Sequence, residues 1–506
     1  MMMNWLSSFL RNRSRCLILL LVLVTGLATH TSLQSSGLRA TDDNLIFYLS
    51  GLKVFHGEAL DKLNDRAIAH YTQQAADQHA MMRLKLHKVG LNEYVLPGTI
   101  YYGVSRILKP LYDPAPGLYP IFLTQSIVFG FYLTFLLTLL VLVGVFSTIA
   151  EQRYSWAMAL TIGIYGLSEL LPVDANSFAT ILMHNSLGDT LAHIRDLILR
   201  PGPQFSPLSF PTRSNFSLLI LALFALRWQG RYAAAYALLF FMSFYHLSAS
   251  GLLIVMLVGI DLLRQPEIFR QRNVAAAVGV LVAVFLYREE MWGSLLGHGL
   301  MPVIAAGVGT VVFIGLTFIP AVRKVLFGPR SFYGRLQQML RARSAVAADL
   351  ILVVTGWLVT VVAVYFMLKG FNLRDFDSWA SAFYFWGRVN GRVMTLLMPS
   401  VIFGCLVLLL ARLERGNFPA LDRHGYAVFP LILAAIAIAT TWQARTRVDQ
   451  TTVLPVVAAG YFQIERALSG GPLPQLKAMG VSETILYYGF SKSVDGHPRD
   501  LDAVLP

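Results

Sequence analysis

The chain has 506 residues, of which 56% are hydrophobic and only 14% charged, and its mean hydropathy is +0.58. One water-soluble domain cannot bury that much apolar surface, so the composition excludes a simple soluble enzyme and points to a polytopic membrane protein. The formal charge of +13 belongs to membrane topology rather than to nucleic-acid binding, because the basic residues gather in short connections between apolar runs.

A bilayer core of about 30 Å asks for about 20 helical residues, and about eleven apolar runs approach that length. They cover residues 16–30, 119–147, 154–171, 216–228, 232–246, 247–263, 274–287, 300–319, 350–368, 396–413 and 426–442. Backbone groups in lipid must bond within their own segment, and the alternation of a membrane barrel is absent. The expected fold class is therefore all-α, a polytopic transmembrane helical bundle. Residues 1–442 form its transmembrane module and 443–506 a small outer C-terminal tail.

The first run follows Arg11, Arg13 and Arg15, and its Gly26-Leu27-Ala28 triplet also fits a cleavable signal peptide. A retained helix is the reading adopted, since no clearer cleavage site follows before Ser32. The two cysteines, Cys16 and Cys405, both fall in apolar runs, which leaves neither a disulfide framework nor a zinc cluster.

Basic residues set the orientation. Arg153, then Arg227 and Arg231, then Arg264, Arg270 and Arg272 occupy connections on the side of the amino-terminal arginines. So do Arg323, Lys324, Arg330, Arg335, Arg341 and Arg343, followed by Arg412, Arg415 and Arg423. The positive-inside rule makes that side cytoplasmic, with the amino terminus inside and the carboxyl terminus outside. The expected location is the bacterial inner (plasma) membrane. On the inner side, Asp261 is expected to pair with Arg264.

The outer segments are 31–118, 172–215 and the tail. In the first, Asp42 and Asp43 stand just ahead of an apolar stripe of Leu45, Ile46, Phe47, Tyr48, Leu49, Leu52, Val54 and Phe55, spaced as a helix lying along the interface. The acidic pair either caps that helix or supplies chemistry. Tyr94, Tyr101, Tyr102 and Tyr112 fit a headgroup-level tyrosine belt.

His246 closes the fifth run before a turn expected over residues 246–251. An ionisable group at such depth is costly enough to mark function, although a neutral, hydrogen-bonded core histidine fits equally well. Arg388 and Arg392 are four residues apart beside the aromatic segment Phe383-Tyr384-Phe385-Trp386. That spacing puts two guanidinium groups on one helical face at the membrane boundary. They either grip a lipid phosphate or pyrophosphate bidentately or snorkel to ordinary headgroups. No internal repeat or glycine-rich phosphate loop accompanies them.

A family pattern emerges from these residues. Thr41-Asp42-Asp43-Asn44 follows a short first span, and the helix from Leu45 to Gly57 opens a long outer loop. The segment from Ser206 to Arg213 enters the fourth span, and the turn Arg227-Trp228-Gln229-Gly230-Arg231 leads to Tyr245-His246. Together they resemble the GT-C superfamily of integral membrane glycosyltransferases, of the type that uses polyprenyl-phosphate sugars. The resemblance covers the first half of the chain. It departs from the family in carrying Asp-Asp where many members have Asp-Glu or Glu-Asp, and in a tail that matches no familiar acceptor domain.

The resemblance implies transfer of a sugar from a polyprenyl-phosphate donor to a glycan, lipid or protein acceptor on the outer face, with inversion. Asp42 or Asp43 would take or orient the acceptor proton, a role generally worth about 10²- to 10⁴-fold. Arg213, Arg388 and Arg392 would stabilise the departing phosphate, and His246 would line the substrate site. Some members add a divalent metal; the acidic pair here has no obvious third ligand, and no cofactor is assigned. Two other readings stay open. One is a transporter or flippase of a lipid-linked or anionic solute, for which no inverted repeat is found. The other is a polysaccharide polymerase or ligase, which does not need the acidic pair.

Overall fold

The computed structural model describes residues 95–112, 119–169, 211–264, 266–269, 319–356 and 395–415, together with residues 51, 54–56, 273, 276, 279, 312, 315 and 316. Among the described residues the regular structure is helical and no strand occurs, which matches the all-α expectation. In chain order the helices are α1 (Val95–Tyr112), α2 (Tyr119–Ser147), α3 (Gln152–Glu169), α4 (Pro211–Trp228), α5 (Tyr232–Ser243), α6 (Leu247–Arg264), α7 (Pro320–Phe327), α8 (Phe332–Arg341), α9 (345–356) and α10 (Thr395–Arg415). Among the described residues no helix is long and apolar enough to cross a membrane. The runs expected at 16–30 and 426–442, and the tail, lie outside those residues.

The chain divides into two compact units. One comprises Met1–Thr25, Leu137–Arg288 and Leu295–Thr440, and the other Gly26–Leu136, Glu289–Ser294 and Thr441–Pro506.

In the first unit α4 is the central element, with every residue from Asn215 to Trp228 buried. A helix apolar nearly all round has no solvent face to offer and is used as core. It packs on α5 and α10; α3 lies against α10, α5 against α6, and α6 against α8. Pro211 is its first residue, a position that suits a fixed φ and a missing N–H. This carries the helix five residues upstream of the apolar run that announced it. Its far end closes on Gly230, whose φ of +73° lies in the left-handed region. Gly230 N–H bonds the Arg227 carbonyl at 2.9 Å and Arg231 N–H the Leu226 carbonyl at 2.9 Å, the paired closure of a Schellman end.

The turn between α5 and α6 lies one step earlier than expected. Tyr245 and His246 N–H groups both bond the Met242 carbonyl, at 2.9 and 3.1 Å, and α6 resumes directly at Leu247. Nothing in Leu247-Ser248-Ala249-Ser250 forbids a helical backbone, so the chain reverses within Phe244-Tyr245-His246. Close approach holds α10 in place. A Cβ on Gly404 would stand 2.8 Å from Leu350 Cδ2 and 3.0 Å from Trp228 Cη2, and the Trp228 and Phe403 rings stack at 5.3 Å.

In the second unit α1 packs on the residues described near 51–56, where a Cβ on Gly51 would collide with the Gly98 carbonyl. Phe55 and Tyr102 stack at 4.9 Å. The tyrosine belt is corrected here: Tyr101 and Tyr102 are 0% and 2% exposed, so they face packed protein. Tyr102 Oη lies 2.6 Å from His56 Nε2 and accepts from Arg106 Nε at 2.6 Å. Arg106, with its long stem, satisfies the phenol that an interfacial ring would have left to water. Val54 and Phe55 stay 44% and 52% exposed, while the rest of the expected apolar stripe, from Leu45 to Leu52, lies outside the described residues.

Candidate functional site

Of the six residues singled out in the sequence, Asp42, Asp43, Arg388 and Arg392 lie outside the described residues. The remaining two fall at one end of the first unit. Arg213 is the third residue of α4, and His246 sits in the α5–α6 turn. Phe216, three residues further along α4, brings its ring to 5.7 Å from the His246 ring. His246 is 3% exposed, so it is a buried histidine rather than a surface one. Next to it, Tyr245 Oη lies 2.9 Å from Thr138 Oγ1 of α2. Asn215 and Ser217, the neighbours of Phe216 in sequence, and Ser250, one turn past His246, are each fully buried.

The opposite end of α4 carries a feature that the sequence reading misassigned. Asp261 does not take Arg264 as its partner. It accepts from Arg227 Nη1 at 2.9 Å and Nη2 at 2.5 Å, and from Tyr236 Oη at 2.8 Å. Arg264 instead donates to Asp349 Oδ1 at 3.1 Å, while Trp228 Nε1 donates to Asp349 Oδ2 at 3.1 Å. Arg227 also stands 3.5 Å from Asp349 and 5.6 Å from the Tyr232 ring centroid. Neighbours in sequence on one helix, Asp261 and Arg264 point to different partners because Arg227, from α4, reaches Asp261 with a planar fork that suits a carboxylate.

Arg227, Asp261 and Asp349 are all fully buried. Two arginines face two aspartates, so the cluster is neutral, and each carboxylate has at least three donors. Arranged this way it ties α4, α5, α6 and α9 together at one level. Arg227 was counted with the loop charges that set orientation; its burial and pairing remove it from that tally. Among the described residues the exposed members of the same set are Arg231, Lys324, Arg330, Arg335, Arg341, Arg343 and Arg412.

The connections at this end also meet. Arg231 donates to Thr148 Oγ1 and to the Thr148 carbonyl, both at 2.9 Å, and Arg153 bonds Glu414 at 3.3 Å as well as its neighbour Glu151. Among the described residues, no group of three or more His, Cys, Asp or Glu side chains is placed to hold a metal ion. No protein-family model, curated protein or solved structure matches this chain.

Sequence reasoning missed Asn215, Ser217, Ser250 and Asp349. A signal existed for the last: Asp349 is the first acidic residue after Glu290 and stands at the mouth of an apolar run. An isolated carboxylate there needs a cation, which Arg264 and Arg227 supply. The others are small polar residues inside apolar runs, which hydropathy averages away.

Proposed function

We propose that the chain is an integral membrane glycosyltransferase that moves a sugar from a polyprenyl-phosphate donor to an acceptor at the outer face. The observation that carries this reading is the contact of Phe216, three residues along α4 from Arg213, with His246, far away in sequence. A cation and an imidazole beside aromatic surface suit a phosphate that leaves with negative charge. Asp42 and Asp43 would act on the acceptor, and Arg388 with Arg392 would join Arg213 at the phosphate.

Membrane residence is supported by composition and by which side chains remain uncovered. Leu160, Ile164, Phe240 and Leu409 are 41%, 48%, 39% and 52% exposed on α3, α5 and α10, while a charged cluster occupies the interior. Water disfavours that arrangement and lipid favours it. The helices α7 and α8 expose Val325, Phe332 and Met339 among Lys324, Arg330, Arg335 and Arg341, the composition of an element lying at an anionic surface. The orientation follows if the Arg227 end is cytoplasmic and the His246 end is outside.

The experiment is a transfer assay on membranes containing the chain, with a prenyl-phosphate hexose as donor, beside reporter fusions at Leu60 and Arg335. The reading expects label in lipid, glycan or protein, with Leu60 outside and Arg335 inside. A cytoplasmic readout at Leu60, or no transfer while the same membranes take up the donor, would replace it with the transporter reading.

A further inference from the structure

We propose that α7 and α8 form one surface selective for anionic phospholipid, whose apolar side chains enter the headgroup layer while its cations hold lipid phosphates. The surface deepens the membrane-residence reading and rests on it, but it requires neither a sugar nor transferase chemistry.

Charge in this part of the chain is one-sided. Between Pro320 and Ala348 stand Arg323, Lys324, Arg330, Arg335, Arg341 and Arg343, with no aspartate or glutamate among them. Among the described residues, Lys324, Arg330, Arg335 and Arg343 have no ion-pair partner. Asp349, the next acid along the chain, is buried and already held by Arg227, Arg264 and Trp228. Exposed cations with no acid of their own attract an anionic partner.

The faces of the helices are sorted as well. On α8, Gly334, Gln337 and Leu340 recur at intervals of three and are buried; this helix packs on α6, and Gln337 Nε2 donates to the Leu262 carbonyl at 3.4 Å. The opposite side carries Phe332, Arg335 and Met339, spaced by three and four and all exposed, Phe332 by 71% and Met339 by 47%. On α7 the same spacing puts Ala321, Lys324 and Val325 on one face, again exposed, Val325 by 75%. A face meant for water alone carries charge without large apolar groups. Mixing the two is what a helix in a headgroup layer does: apolar groups reach the acyl boundary and cations stay among the phosphates.

The two helices also hold each other. They pack together, and Ser331 ties the turn between them, its hydroxyl accepting from Gly334 N–H and donating to the Gly328 carbonyl, both at 2.8 Å. Arg330 is exposed in that turn. Guanidinium groups fixed this way bond phosphate oxygens bidentately, which a zwitterionic surface, with a cation beside each phosphate, rewards less.

The test places the full chain, with Cys16→Ala, Cys405→Ala and Met339→Cys, in lipid nanodiscs and labels position 339 with an environment-sensitive fluorophore. Nanodiscs of phosphatidylcholine are compared with ones in which phosphatidylglycerol replaces part of it, each carrying the same share of a spin-labelled lipid as quencher. Quenching is expected to rise with phosphatidylglycerol. Each cation near the surface changes partitioning by about fivefold, so Lys324→Gln, Arg330→Gln and Arg335→Gln together should abolish the rise. Should the labelled chain fail to accumulate, Val325→Cys carries the same label. Equal quenching in both lipids, or a rise that survives in the triple variant, overturns the selectivity and with it the proposal. No quenching in either lipid, with the chain in the discs, also overturns it and leaves the face to another protein. A chain that enters neither disc overturns this surface and membrane residence together.

Discussion

Arg227 holds Asp261 through two hydrogen bonds, Nη1 to Oδ2 at 2.9 Å and Nη2 to Oδ1 at 2.5 Å, with both side chains sealed from solvent. Because each charge is buried, removing one strands the other. Arg227→Met is expected to cost about 3–5 kcal/mol, and the double change Arg227→Met with Asp261→Leu to recover most of it. Thermal unfolding of the solubilised protein measures both. A double variant no more stable than the single one would mean that the pair is not coupled as described.

Tyr236 supplies the third donor to Asp261, at 2.8 Å. Tyr236→Phe keeps the ring and removes that donor, so the expected loss is about 1.5–3 kcal/mol, smaller than for Arg227. An unchanged melting temperature would show that Arg227 alone satisfies the carboxylate.

Gly230 closes α4 with φ at +73°. A side chain there meets no neighbour within 4 Å, so the effect of Gly230→Ala is conformational alone, about 1–2 kcal/mol of lost stability. Should the variant be as stable as wild type, the Schellman closure between Leu226 and Arg231 is not what ends the helix.

Gly404 behaves differently, because space is what it provides. With Leu350 and Trp228 already near the position of its absent Cβ, Gly404→Val is expected to destabilise by about 1–3 kcal/mol through overpacking between α10, α9 and α4. Trp228 fluorescence should shift with it, since the indole sits in that contact. No spectral change would place the strain elsewhere.

Much of the helical layout was legible in the sequence because hydropathy reports burial directly. The run at 119–147 coincides with α2, and those at 247–263 and 396–413 lie within a residue or two of α6 and α10. Boundaries slipped where the local chemistry is not apolar: Pro211 starts a helix ahead of the greasy residues, and the reversal at Phe244-Tyr245-His246 carries no glycine or proline to announce it. Partners were harder still. Asp261 and Arg264 suggested each other by proximity along the chain, whereas Arg227 and Asp349, 34 positions before and 88 after Asp261, decide the pairing through packing that no local pattern encodes. Of the candidate site, the contact of Phe216 with His246 was not legible in the sequence, since it depends on how α4 meets the α5–α6 turn.

Transfer of labelled hexose from a prenyl phosphate by purified protein, compared among wild type, Asp42→Asn, Asp43→Asn and the double variant, addresses the central claim most directly. With expression and melting temperature unchanged, the double variant is expected to lose about 10²- to 10⁴-fold in rate, as removal of a general base does, while donor binding persists. Wild-type rates in both single variants and in the double variant would contradict the account and leave the acidic pair as a helix cap.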